Sequence, residues 1–132
     1  MSEENHFHSF QQQVGDLLLR HRSFLDVTSK FQESNARINR ALMKAVTDCG
    51  CIEVEARRQS FPKAASVSEW KEQLKTHLSG ELCDHCLDVV KSEMGKNLFY
   101  LTALCNLLDI RLLDVIKQES NNLSTLGVFT LR

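Results

Sequence analysis

The chain has 132 residues, 42% of them hydrophobic, and a single proline, which gives it the size and apolar content of one globular domain. Sixteen basic and seventeen acidic side chains nearly cancel, and no Lys/Arg cluster stands out, so the electrostatic footprint of a dedicated nucleic-acid binder is absent. No apolar run approaches the roughly 20 residues of a membrane span, and Met1 to Gln13 lacks the apolar stretch of a secretory signal, so a cytoplasmic protein with no membrane partner is expected.

Residues 1–9 are polar, carry His6 and His8, and read as a mobile terminus. A short helix follows that turns Phe10, Val14, Leu17 and Leu18 inward, with Gly15 weakening it. From Phe24, apolar residues recur every three or four positions through Leu25, Phe31, Ile38, Leu42, Ala45, Cys49 and Ile52, the stripe of one long amphipathic helix. Gln59 to Ser68 holds Pro62 and reads as a loop, after which Ser68, Glu69 and Glu72 open a helix that runs to about His77 and is ended by Ser79-Gly80.

The best-defined helix carries Leu82, Val89, Val90, Met94, Leu98, Leu101, Leu104, Cys105 and Leu108 on one side over about seven turns. Asp109 to Arg111 reads as a tight turn. Leu112, Val115 and Ile116 then make a final helix ending near Asn121 or Asn122. The tail, residues 124–132, is open to three readings: extended, docked, or contributed to a neighbouring chain. Four or five helices with short connections predict an all-α helical bundle in a single domain, 1–132.

The run Glu93-Met94-Gly95-Lys96-Asn97-Leu98-Phe99-Tyr100-Leu101 and its continuation to Ile110 resembles the signature helix of the MazG-like nucleotide pyrophosphohydrolases, a pattern of the type E-L-G-D-x-L-F-Y-L-x-x-L-x-N-x-L-G-I. The resemblance covers about eighteen residues closely and is compatible with the helix order from Asn35 to Glu119. It implies a MazG-like bundle, a homodimer whose helices complete a shared four-helix core, and a nucleotide ligand. It also implies Mg²⁺ held by an E-E-x-x-E cluster and an E-x-x-D pair, where the ion bridges the nucleotide's phosphates.

This chain departs from the pattern at both carboxylate motifs. Glu93 matches the glutamate of E-x-x-D, but Lys96 stands where the aspartate belongs. A unit charge pair at 4 Å is worth about 4 kcal/mol at an effective dielectric near 20, and a divalent ion doubles that repulsion. On the first long helix, the stretch Ala45 to Glu53 keeps Asp48 as the one acid near the expected place, and Glu53 and Glu55 would point roughly 160° apart on a continuing helix. If catalysis is retained, Glu93 and Asp48 are its carboxylates, with Glu53 and Glu55 as further candidates. An inward Glu93 needs a partner, and Lys44, Lys96 and Arg57 are the candidates.

Where acids are missing, cysteines stand. Cys49-Gly50-Cys51 and Cys83-Asp84-His85-Cys86 form a C-x-C and a C-x-x-C thirty-odd residues apart, four soft ligands that suit a closed tetrahedral zinc site or an iron–sulfur cluster. Cys83 and Cys86 lie one turn apart at a helix start, where they can point the same way. Cys49 and Cys51 diverge by about 200° on a regular helix, so joint ligation needs a break, which Gly50 permits. The alternatives are a redox pair at Cys83/Cys86 and plain packing, and packing is the expectation for Cys105 inside the apolar stripe. His85 is a substitute ligand or solvent-facing, and Glu81, Asp84 and Asp88 read as a solvated ridge.

Three functional classes follow: a non-catalytic binding or regulatory module carrying a cysteine-bound metal, an active Mg²⁺-dependent pyrophosphohydrolase, and a thiol redox protein. Loss of both acidic motifs favours the first.

Overall fold

A computed structural model describes residues 2–18, 23–60, 66, 68–70 and 74–126, and these are mostly helical. In chain order they form α1 (Glu3–Leu17), α2 (Phe24–Lys44), a π-helical turn (Ala45–Cys49), β1 (Ile52–Val54), β2 (Leu78–Gly80), α3 (Asp84–Leu107) and α4 (Leu112–Leu126). The chain divides into two compact units, one of Met1–Arg37 with Glu93–Arg132 and one of Ile38–Ser92.

The first unit is held by an apolar cluster of Val14, Leu18, Val27 and Ala103, against which Phe10, Phe99, Tyr100 and Leu104 pack. Residues 3–9, expected within a mobile terminus, belong to α1. The Ser2 side chain accepts the Asn5 N–H, and Glu3 and Glu4 occupy the positive end of the helix. Gln11 ties three elements together: its Nε2 donates to the Asn106 Oδ1 at 2.9 Å and to the Ile110 carbonyl at 2.8 Å, and its Oε1 accepts the Leu112 N–H at 2.8 Å. Helix α3 closes with Asp109 in the left-handed region (φ 57°) and the Ile110 N–H returning to the Cys105 carbonyl. The predicted turn at Asp109 to Arg111 is therefore present, but α4 runs on to Leu126 rather than stopping at Asn121 or Asn122. Cys105 is buried, as the packing expectation has it.

The second unit departs from an all-helical expectation. The long helix does not reach Ile52: its regular part ends at Lys44, one wide turn follows, and the Gly50 N–H bonds back to the Ala45 carbonyl at 2.8 Å with Gly50 at φ 78°. A left-handed residue cannot continue a helix, and glycine takes that conformation without a Cβ clash. Ile52 then lies in β1 and pairs with β2 in an antiparallel register, Ile52 opposite Gly80, Glu53 opposite Ser79 and Val54 opposite Leu78.

The helix expected from Ser68 to about His77 is only partly described. Ser68–Trp70 are helical, residues 71–73 lie outside the described residues, and His77 at φ 61° leads into β2. The Pro62 loop and residues 127–132 of the tail also fall outside the described residues.

Candidate metal centre

The second unit builds its chemistry where the π turn and the two strands meet the start of α3. The wide turn ends on Cys49, Gly50 reverses the chain, and Cys51 leads directly into β1. The break at Gly50 removes the helical divergence of Cys49 and Cys51 and lets both sulfurs serve one point. π turns recur at functional sites for this kind of re-aiming.

The other pair is set by a helix start. Cys83 is the residue before α3, its carbonyl accepts the Leu87 N–H at 2.8 Å, and its Sγ lies 3.4 Å from the Cys86 backbone nitrogen as acceptor. Cys83 thus fills the role that serine or aspartate takes at a helix N-cap, and Cys86 stands one turn on.

Strand pairing brings the halves together. The hairpin register places Gly80 against Cys51 so closely that a Cβ on Gly80 would stand 2.5 Å from the Cys51 carbonyl oxygen, and Gly80 itself is at φ 84°. Only glycine meets both conditions.

The result is convergence. The sulfurs of Cys49, Cys51, Cys83 and Cys86 all lie within 4.8 Å of one another, and Cys49 Sγ and Cys83 Sγ are 3.8 Å apart. Four thiolates around one ion at Zn–S ≈ 2.3 Å stand about 3.8 Å apart along each tetrahedral edge. None of the four is in a disulfide; Cys49 is exposed and the other three are half-buried. Among the described residues this is the one group of three or more Cys, His, Asp or Glu side chains whose ligand atoms come together in this way.

The electrostatics of the cluster follow from its hydrogen bonds. The Cys83 thiol is lowered to about 7, chiefly by the Cys86 backbone N–H and then by the Cys86 side chain. Cys86 is pushed up to about 12, first by its hydrogen bond to Cys83 and then by desolvation. Cys49 is raised as well, with the Cys83 hydrogen bond as the leading cause. One thiolate shared among several thiols is the state from which a metal ion displaces the remaining protons.

His85 does not join the cluster. With Asp48, Lys44, Ala41, Ala45 and Val89 it lines a cleft of about 210 Å³ that borders Cys49 and Cys86.

The candidate carboxylates are spread over separate elements. Glu53 lies in β1 and Glu55 follows it. Asp48 sits in the π turn of the second unit, with the Thr47 hydroxyl 3.4 Å from its Oδ1, while Glu93 belongs to the first unit. Lys96, one of the cations expected for Glu93, pairs with it, its Nζ 3.7 Å from Glu93 Oε1. Glu93 is only 16% exposed, and its Oε2 is buried without a hydrogen-bond partner. The lysine therefore stands on the carboxylate that the resemblance offers to a metal.

The N-cap role of Cys83 and the clamp at Gly80 are the site features that pattern reasoning missed. The first was signalled by a cysteine directly before the acidic first turn of a helix. The second had no local signal, because it depends on the pairing of distant strands.

No family model matches the chain, and comparison with curated proteins and with solved structures likewise finds no match.

Proposed function

We propose that this chain is a metal-binding module that holds one zinc ion in the thiolates of Cys49, Cys51, Cys83 and Cys86, on a MazG-like helical scaffold whose magnesium chemistry has been lost. The observation that carries the proposal is the convergence of four sulfurs within 4.8 Å. A mononuclear ion suits that spacing better than an iron–sulfur cluster, which spreads its thiolates over separate iron atoms. Cysteine-only ligation also favours zinc over Mg²⁺, which takes hard oxygen ligands. Such a site keeps its thiols where the surroundings are reducing, which agrees with the expected cytoplasmic location.

The same reading makes the protein a binding or regulatory unit. Lys96 at 3.7 Å from Glu93 supplies in place the positive charge that an Mg²⁺ ion would otherwise bring. Exposed apolar side chains in the first unit, among them Met94, Leu98, Val115 and Ile116, support a homodimer as the assembled state, which light scattering tests.

Elemental analysis of protein purified without chelator tests the metal. About one zinc per chain is expected, and less than about 0.2 with all four thiols freely titratable overturns the proposal. Release of pyrophosphate from a panel of nucleoside triphosphates with Mg²⁺, abolished in Glu93→Gln, would establish the pyrophosphohydrolase instead. The redox alternative draws on the lowered Cys83 thiol beside Cys86. It requires a reversible Cys83–Cys86 disulfide in the metal-free chain that exchanges with a dithiol.

A further inference from the structure

Few apolar side chains of the second unit are fully buried among the described residues. Among the described residues, the buried apolar side chains between Ile38 and Ser92 are Ala45, Ile52 and Val90, whereas the first unit buries Val14, Leu18, Val27, Ala103, Leu112 and Leu113. The hairpin is short and, apart from Ile52, open to solvent. Its strands are three residues each, and the facing pair Val54 and Leu78 is more than half exposed on both sides. An isolated two-stranded ribbon of this kind is marginal at best in water.

The chain between the strands, Glu55 to His77, is 23 residues long, so pairing also has to close a long loop. Beyond the strands, the Glu55 N–H reaches the His77 carbonyl at 2.9 Å, and Lys75 N–H donates to Gln59 Oε1 at 3.2 Å. These contacts extend the ladder beyond the strands.

The four-cysteine site sits at the base of this arm. Cys51 immediately precedes β1, Cys83 follows β2 after two residues, and the first ladder pair, Ile52 with Gly80, packs on the Cys51 carbonyl. An ion bound by all four thiolates closes the 23-residue loop and fixes the register of the ladder in one step. The groups that lose conformational freedom on folding are the groups that the metal holds.

We infer that occupancy of the cysteine site decides whether β1 and β2 pair, so that the protein is metal-responsive, with one unit that forms its hairpin only when zinc is bound. The inference rests on the metal-binding reading above. The first unit, which has its own apolar cluster, keeps α1 and α4 in either state.

Hydrogen exchange of the full chain, followed by mass spectrometry in the zinc-loaded, zinc-stripped and reloaded states, tests this. Peptides spanning residues 51–55 and 77–81 are expected to lose at least ~100-fold in protection on stripping and to regain it with added Zn²⁺, while peptides from residues 3–17 and 112–126 stay protected. Zinc content measured on the same samples separates the two ways to fail. Zinc that is bound and then removed with no change in the arm overturns the switch alone, and so does loss of protection throughout the chain at once. A chain that never takes up zinc overturns the metal reading and the switch with it.

Discussion

Cys49 Sγ lies 3.8 Å from Cys83 Sγ, although 34 positions separate the two residues along the chain. That spacing matches the edge of a metal–thiolate tetrahedron, and it is reached by a helix that opens into a wide turn on one side and a helix that starts on a cysteine on the other.

If these sulfurs are ligands, the five cysteines fall into two classes. Serine at position 49, 51, 83 or 86 is expected to lower zinc affinity by roughly 100-fold or more, read by competition with a chromophoric chelator. Cys105→Ala is expected to leave zinc affinity and stoichiometry untouched and to cost about 1–2 kcal/mol in urea unfolding, because it opens a small void at a buried position. Equal effects at all five positions would contradict the assignment.

The two left-handed glycines near the site are predicted to differ. Gly50 has open space where a Cβ would go, so Gly50→Ala carries only the backbone penalty of about 1–2 kcal/mol, and Gly50→Asn less, since asparagine tolerates that region. Gly80→Ala carries a similar backbone penalty and also drives a methyl group into the Cys51 carbonyl. Zinc affinity should therefore fall more for Gly80→Ala than for Gly50→Ala, and the reverse order would show that the hairpin register is not what places Cys51.

Zinc binding should release protons in a pH-dependent number. Above pH 7 Cys83 is mostly ionised before the ion arrives, because its thiol is lowered to about 7, while the raised Cys49 and Cys86 each give up a proton on binding. Below pH 7 Cys83 is protonated as well and adds one proton to the release. Affinity is thus expected to fall with falling pH, and to fall more steeply below pH 7 by one proton per zinc. Calorimetry at pH 6 and pH 8 in buffers of different ionisation enthalpy measures the difference, and an equal release at both values would rule out Cys83 as the early thiolate.

Gln11 is expected to matter more for stability than its position on a surface helix suggests. Gln11→Ala removes the bonds to Asn106, Ile110 and Leu112 together. At roughly 1 kcal/mol net per bond, reduced for those in contact with solvent, the cost is about 2 kcal/mol in the urea transition with zinc stoichiometry unchanged. A change below about 0.5 kcal/mol would mean that water replaces the glutamine at little cost.

The helices were legible because they repeat an apolar stripe over many turns, so α3 could be read from Leu82 to Leu108 and lies at Asp84–Leu107. The four cysteines were legible as a set, and Gly50 as the place where the helix had to break. The hairpin was not. Ile52 fits the helical stripe as well as it fits a strand, three residues show no usable alternation, and the partner strand is more than twenty residues away. Glu93 was legible as a carboxylate in need of a cation, and Lys96, one turn on along the helix, lies beside it.

Gly80 carries a consequence for ancestry. Helical stripes drift freely, since many apolar residues fill the same space, but a position that must be left-handed and must also admit a carbonyl oxygen has one solution among the twenty amino acids. Distant relatives that share this cluster are expected to keep C-G-C followed, some thirty residues on, by G-x-x-C-x-x-C. The string that would trace this lineage then runs through a glycine that binds nothing.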